Sequence, residues 1–485
     1  MTATESLMGN TRRKIELTSS LILAVLVSCL GTIQFGYHIA ELNAPQQFLT
    51  CSEVKYPHGD PDIPYDETLF GRHGLVQCIP MTTEQFGVVT SVLSVGGLIG
   101  SYIAGQLAAK YGKKKISQGT AFVYFIGSLM LTMANGYWTM IFGRLLVGMA
   151  SGISIVVIPV YINEITPAEY KGAMGTMNQL SINIGILFTQ TIALVFTNSY
   201  YWRWILLIGT AIALVNFVAW STIDESPKWL LKRGLTSEAE MVVYKLHGGT
   251  YQDAKDQIQT WQTDMNSHHE HADFAGREPT LWEFVTREEY KKPRNVIFMI
   301  LCAQQFCGIN SIIFYGVKVI SNSLPNSAVL VNFGISVLNV LMTFVASVII
   351  DSLGRKPLLL SSSALMAGTS FLISIGISKD VPILLVIAVF AYIASFAIGV
   401  GPIPLMIISE LTTHEAAAKA QSFGTICNWL ATFLVGFLFP SFHEVMGGAV
   451  YCIFSIVAIG FVIYIKYRVP ETKNKTSYSD VWRGY

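Results

Sequence analysis

Twelve stretches of mostly apolar residues dominate this chain of 485 residues. Each is close to the roughly 20 residues that cross a bilayer core as a helix. They lie near residues 18–40, 86–108, 117–134, 138–162, 174–197, 203–223, 295–321, 328–350, 357–378, 382–409, 419–440 and 447–467. Lipid offers no partner to a backbone amide or carbonyl, so each run is predicted to be helical. The expected fold class is an all-α membrane protein with twelve transmembrane helices. Charged residues make up 13% of the chain, about half the share of a soluble domain. The net charge is +1, so nothing points to a nucleic-acid partner.

The ends of these runs repeat. Gly112-Lys-Lys114 recurs as Gly354-Arg-Lys356, 242 positions on. Asn163-Glu164 recurs as Ser409-Glu410, and Glu225-Ser-Pro-Lys228 as Glu471-Thr-Lys473, both 246 positions on. A period of half the chain means two similar halves, not a short-period array. The expected organisation is an N-terminal six-helix half over 1–223, a helical linker over 224–293, and a C-terminal six-helix half with a short tail over 294–485. A membrane protein of this kind has its working site between the halves, near the midplane.

Lys and Arg assign the sides. Arg12, Arg13 and Lys14, then Lys110, Lys113, Lys114 and Lys115, then Arg355 and Lys356, then Lys466, Arg468, Lys473 and Lys475 share one parity of connection. The other parity is nearly free of basic residues, with Lys55, Arg72 and Lys379 as exceptions. The positive-inside rule therefore predicts that both termini and the linker are cytoplasmic, and that the loop 41–85 is not. No cleavable signal peptide is expected, because the first apolar run is full length. Cys51 and Cys78, outside the predicted spans, are a candidate disulfide on a face that can be oxidising; two unpaired thiols is the alternative. In the linker, Ser237-Glu-Ala-Glu240 and Thr280-Leu-Trp-Glu283 have capping-box spacing. His268-His269-Glu270-His271 lies in a solvated stretch without fixed geometry, so no metal site is assigned. Asn474-Lys-Thr476 fits a glycosylation acceptor but falls on the cytoplasmic side. No Gly-x-x-x-x-Gly-Lys-Ser/Thr loop occurs, so transport would be gradient-driven. No cofactor is expected, and no nucleophile–base constellation suggests an enzyme.

Polar side chains inside the runs face the bundle interior, because lipid makes them costly. Gln304, Gln305 and Asn310 cluster near the middle of run 7, beside Gly308. Runs 5, 8, 11 and 1 add Asn178, Gln179, Asn183 and Gln190, then Asn332 and Asn339, then Asn428-Trp429, then Gln34 and His38. Amides hydrogen-bond hydroxyls in both directions, and an aromatic face covers a sugar's C–H face. Singly, each amide reads better as interhelical glue. Together they read as a site for a small polyhydroxylated neutral solute. On one continuous helix Asn310 would lie about 8–9 Å along the axis from the glutamines, the span of one monosaccharide ring.

These residues carry a specific resemblance. Gly143-Arg144, Pro159-Val-Tyr161-Ile-Asn-Glu164-Ile-Thr-Pro167, Glu225-Ser-Pro-Lys228, Gln304-Gln305-Phe-Cys-Gly308-Ile-Asn310, Gly401-Pro402-Ile-Pro404, Asn428-Trp429 and Pro470-Glu-Thr-Lys473 resemble the signatures of the sugar porter family of the major facilitator superfamily. The match covers nearly all of the chain. Phe35-Gly-Tyr-His38-Ile-Ala-Glu41 is similar to a fungal subgroup associated with the vacuole membrane, which implies that location ahead of the plasma membrane. The resemblance implies sugar-binding roles for Gln179, Gln304, Gln305, Asn310, Asn339 and Asn428, with Trp429 beside the pocket. Two departures bear on the substrate: Ala397 stands where glucose carriers have Glu, and Leu405 where Trp is usual. Ala109 replaces an acidic residue before Lys110, and Ala417 stands where an Arg is expected after Glu410, with Lys419 as the nearest base.

The expectation is thus a carrier of a sugar or similar small polar solute, acting as a monomer in a lipid bilayer by alternating access. A carrier of a non-sugar organic solute and a non-transporting sensor are the alternatives; the short sequence after the last run weighs against a sensor. Lys110, Lys114 and Arg355 with Glu164, Glu225, Glu410 and Glu471 are candidates for ion pairs across the halves when the cytoplasmic side is shut. His38 and Arg144 are the coupling candidates. Proton-linked members of the family have Asp at the His38 position, paired with the Arg of span 4. A histidine cannot form that pair, and burial beside a cation favours its neutral form. Uniport is the expectation; protonation of His38 in an acidic compartment, assisted by Glu41, is the competing reading.

Overall fold

The computed structural model describes residues 18–55, 64–167, 170–275, 280–413, 416–473, 475 and 478–483. Arg12, Arg13, Lys14, Asn474 and Thr476, and the side chains of His268–His271, lie outside the described residues. Twelve helical segments follow the twelve apolar runs. They are α1 (Ser19–Ala40), α2 (Thr83–Tyr111), α3 (Lys113–Thr132), α4 (Tyr137–Ile165), α5 (Lys171–Phe196) and α6 (Trp202–Ala219). Then come α7 (Lys291–Phe306 and Ile309–Ser321), α8 (Ala328–Leu353), α9 (Arg355–Ser378), α10 (Pro382–Ser395, a π turn Phe396–Val400, and Ile403–Leu411), α11 (Ala417–Met446) and α12 (Val450–Arg468). By length and hydropathy alone there are 10 candidate spans among the described residues. The helix α3 misses that test because it opens on Lys113, Lys114 and Lys115, and α11 and α12 count as one stretch, Lys419–Arg468.

The polarity is that of a bundle in lipid. Leu26, Val195, Val218, Val348, Ile383 and Ile456 point outward and are exposed, while Gln34, Asn183, Gln190, Gln305, Asn310 and Asn332 are buried. The first six helices meet the last six chiefly through α2 against α11 and α5 against α8. Within the first six, α2 and α4 approach so closely that a Cβ on Gly148 would lie 2.1 Å from the Leu93 carbonyl oxygen.

Two helices predicted as continuous are broken. In α7 the break is at Gly308, whose φ of 96° suits glycine, and whose missing Cβ leaves room for the Phe454 ring. In α10 it is at Gly401-Pro402-Ile-Pro404, where two prolines remove backbone donors. The Gly401 amide bonds back to the Phe396 carbonyl, five residues earlier, at 2.8 Å.

The loop after α1 is closed by a Cys51–Cys78 disulfide. It is seated on α6: the Trp202 indole donates to the Gln77 carbonyl and the buried Arg203 guanidinium to those of Val76 and Thr132. Thr280 and Glu283 form the expected capping box. Ser237 does not cap its helix. That helix runs Thr236–His247, so Ser237 sits inside its first turn. A capping box the sequence reading missed, Thr82 with Gln85, opens α2. The linker divides between the two sets of helices. Leu230, Val243 and Ile258 pack with α1 and α4 residues, whereas Phe284 meets Phe423 of α11 with its ring tilted at 56° and 5.8 Å between centroids.

Candidate functional site

The breaks in α7 and α10 bring amides and free carbonyls together halfway through the bundle. The Gln305 Oε1 accepts from Asn310 Nδ2 at 2.6 Å, directly across the break. Gln304 Oε1 accepts from Gln305 Nε2 at 3.3 Å and from Asn428 Nδ2 at 2.8 Å. Gln304 Nε2 donates to the carbonyls of Val400 and Gly401 at 2.7 and 3.0 Å. Four of the predicted substrate residues, Gln304, Gln305, Asn310 and Asn428, therefore form one connected network joining α7, α10 and α11.

The other three lie elsewhere. Asn339 donates to Asn183 Oδ1 at 3.2 Å, and Asn183 donates to Thr343 Oγ1 at 2.7 Å, so these amides link α5 to α8 across the halves. The Trp429 indole donates to Ser101 Oγ of α2 at 3.0 Å and meets Phe35 edge-on at 5.8 Å. Both contacts cross from α11 to the first six helices. Gln179 is half-buried on α5. Asn183 is one of the amides read together as a site, though without a sugar-binding role of its own; Thr343 and Ser101 are new, because a hydroxyl paired with an amide leaves no periodic signal.

A second polar cluster is buried among the first six helices. Arg144, fully buried, donates from Nη1 to Glu41 Oε1 at 3.0 Å, and His38 Nδ1 lies 2.8 Å from Glu41 Oε2. By family position Arg144 has no carboxylate partner, because His38 stands where proton-linked members have Asp. Glu41 supplies one, three residues on and on the same helical face. The other His38 nitrogen is 3.1 Å from Ser128 Oγ, and the ring stacks on Tyr124 at 5.4 Å. Arg144 also donates to the His38 carbonyl.

On the face carrying the basic connections, two ion pairs form within the separate sets of six helices. Lys113 Nζ meets Glu164 at 2.8 Å, and Arg355 Nη2 meets Glu410 at 3.0 Å. Glu225 accepts from the Lys113 and Lys114 amides at the start of α3, at 2.9 and 3.1 Å. Glu471 accepts from those of Arg355 and Lys356 at the start of α9, at 3.1 and 3.0 Å. Each of these two carboxylates caps a helix N-terminus, where free amides and the helix dipole favour an anion. Lys110 lies exposed over Tyr111. Hydrogen bonds across the halves occur toward the opposite face: Asn43, just after α1, donates to the Ile313 carbonyl at 2.9 Å and accepts from the Val317 amide at 3.0 Å.

Comparison with known proteins agrees with this architecture. The “Probable metabolite transport protein” of Saccharomyces cerevisiae is 55% identical, over 100% of both chains. The vacuolar protein sorting-associated protein 73 of the same yeast is 42% identical, over 95% of this chain and 96% of that one. The xylose transporter of E. coli, in a partially occluded inward-open conformation, superposes with a TM-score of 0.76 at 23% identity, covering 95% of this chain and 100% of that chain. That likeness shows a shared twelve-helix major facilitator fold. The profile described as sugar (and other) transporter matches residues 24–480, so this chain belongs to the sugar (and other) transporter family.

Proposed function

We propose that the protein carries a monosaccharide or a similar small polar solute by alternating access, as a monomer. The observation that carries this reading is the amide network at the broken centres of α7 and α10. Gln305 and Asn310 keep donor and acceptor capacity beyond these bonds, and Asn428, whose two N–H groups go to Gln304 and the Leu301 carbonyl, keeps its oxygen. That uncommitted capacity suits hydroxyls, and Ala397 and Leu405 leave the site without the carboxylate and aromatic of glucose carriers. The basic face is assigned to the cytoplasm by its Lys and Arg. The pairs around Glu164 and Glu410 are candidate parts of a gate on that face. The vacuolar association in one relative's name supports a vacuole or related membrane.

Uniport remains the simpler reading of coupling. A specific observation favours a second: Arg144 has a buried carboxylate partner in Glu41, so a group whose protonation releases the arginine is present after all. Uptake of labelled sugars, polyols and vitamins into proteoliposomes, with and without a pH gradient, tests both. Concentrative uptake driven by the pH gradient and lost in Glu41→Gln establishes proton linkage. Uptake indifferent to the gradient returns the carrier to uniport, and uptake of no panel member overturns the solute class.

A further inference from the structure

We infer that the groove between α7 and α12 is a binding site for an anionic glycerophospholipid, with one acyl chain in the groove and the phosphate at Arg468. The inference goes beyond the carrier reading and does not depend on the solute.

The argument begins with a gap in the outer wall of the bundle. The first segment of α7 and the helix α12 leave between them a groove of about 700 Å³. Phe298 and Phe306 line it from α7, and Val457, Gly460, Tyr464 and Arg468 from α12. On α12 these residues are three or four apart, so they share one face. Gly460 forms a notch in that face: it is exposed, and a Cβ there would meet nothing within 4 Å.

Length and charge decide what fills the groove. Val457 and Arg468 lie eleven residues apart on one helix, a rise of about 16 Å. A hydrocarbon core is roughly 30 Å thick, so the groove runs the depth of one leaflet and no further. Its walls are apolar as far as Arg468, the one charged side chain among the described residues that line it. The end of α12 lies on the basic face, because Glu471 just beyond it accepts from the amides that open α9. Arg468 is exposed, and among the described residues no carboxylate is paired with it. Lys466, also exposed, sits 5.6 Å from the centre of the Tyr467 ring. Lys291, at the start of α7, is by contrast already paired with Glu288 at 3.1 Å. Tyrosines such as Tyr464 and Tyr467 near the end of a span are typical of the headgroup level. An arginine stem lies along an apolar wall while its guanidinium reaches the polar region, where it holds a phosphate through parallel hydrogen bonds. A free anion would meet the charge and leave the groove empty. A zwitterionic lipid would fill the groove and offset the arginine with its own cation. An anionic phospholipid satisfies both, and basic pockets between spans are where such headgroups bind. At its inner end the chain reaches Phe306, the last residue of α7 before the break. The lipid thus packs behind the segment that carries Gln304 and Gln305.

Native mass spectrometry of the full-length, delipidated protein in detergent identifies the occupant. The probes are phosphatidylserine and phosphatidylcholine with the same dioleoyl chains, at equal concentration. Wild type is expected to retain a first phosphatidylserine about fivefold more than phosphatidylcholine, the preference that one arginine near the membrane surface supports. Arg468→Gln is expected to bring that ratio close to one. Lys379→Gln, which removes a base at the far end of α9, is expected to leave it unchanged. Gly460→Phe fills the groove and is expected to lower retention of the first phosphatidylserine severalfold. The new ring enters open space, so the fold is expected to survive; should it fail, Gly460→Leu is read in the same way. Inorganic phosphate at the same concentration is expected to leave bound phosphatidylserine in place. Equal retention of the two lipids by wild type, or a wild-type ratio in Arg468→Gln, overturns the inference. Undiminished retention in the Gly460 variant overturns it as well. Displacement of phosphatidylserine by inorganic phosphate makes this a site for a free anion, and the lipid assignment falls. No solute enters any arm, so failure here leaves the carrier reading as it stands.

Discussion

At the scale of single residues, the sharpest constraint is the buried charge on Arg144. Its guanidinium has no solvent access and relies on Glu41. Breaking a buried pair from one side leaves the other charge uncompensated, which costs about 3–5 kcal/mol, whereas replacing both partners with apolar residues of similar volume is often near neutral. Glu41→Ala or Arg144→Ala is therefore expected to lower the thermal unfolding midpoint in detergent strongly, and Glu41→Leu with Arg144→Met much less. Equal losses in single and double variants would mean that the pair is not the source of the effect. This partnership was half legible in the sequence. Arg144 and His38 stood out by family position, and Glu41 immediately follows the first apolar run. Helical spacing puts residues 38 and 41 on one face; only the packing of α4 against α1 shows which of them takes the arginine.

At the scale of elements, the extents of the twelve helices were readable from hydropathy because lipid demands length and helicity together. The breaks were not, because their polar residues carry no period, although Gly308 and Pro402 with Pro404 are the punctuation that marks such places. The break in α7 is where the amides proposed to face the solute turn toward one another, so its geometry is testable alone. Gly308 has φ 96°, and a Cβ there would lie 2.3 Å from the Phe454 ring. An L side chain in left-handed backbone costs about 1–2 kcal/mol before any clash. Gly308→Ala is expected to exceed that loss in chemical denaturation, and to weaken solute binding by displacing Asn310 from Gln305. A variant as stable as wild type, with unchanged affinity, would remove the break from any role in the site.

At the scale of the molecule, the sequence repeat reappears as two matched charge clusters. Lys113, Glu164 and Ser226 meet in one, and Arg355, Glu410 and Thr472 in the other. The motifs were visible as repeats at spacings of 242 and 246, but which charges pair depends on helix packing that no repeat encodes. The pairs formed here stay within each half. Among the described residues, hydrogen bonds join the halves at the middle and toward the opposite face: Asn183 with Asn339 and Thr343, Trp429 with Ser101, and Asn43 with the second segment of α7. Alternating access is a rocking of one half on the other, and it cannot proceed while the ends on one face stay joined. The hydrogen bonds of Asn43 to the Ile313 carbonyl and Val317 amide must then break and reform in each cycle. Asn43→Cys with Val317→Cys, bridged by a short bifunctional thiol reagent in an otherwise active background, is expected to stop solute exchange while leaving the protein folded. Reduction of a cleavable bridge is expected to restore it, and neither single cysteine should respond. Exchange that continues through a bridge shown by mass spectrometry to be complete would mean that the halves need not part at this face. The rocking motion would then have to be replaced by one confined to the broken helices α7 and α10.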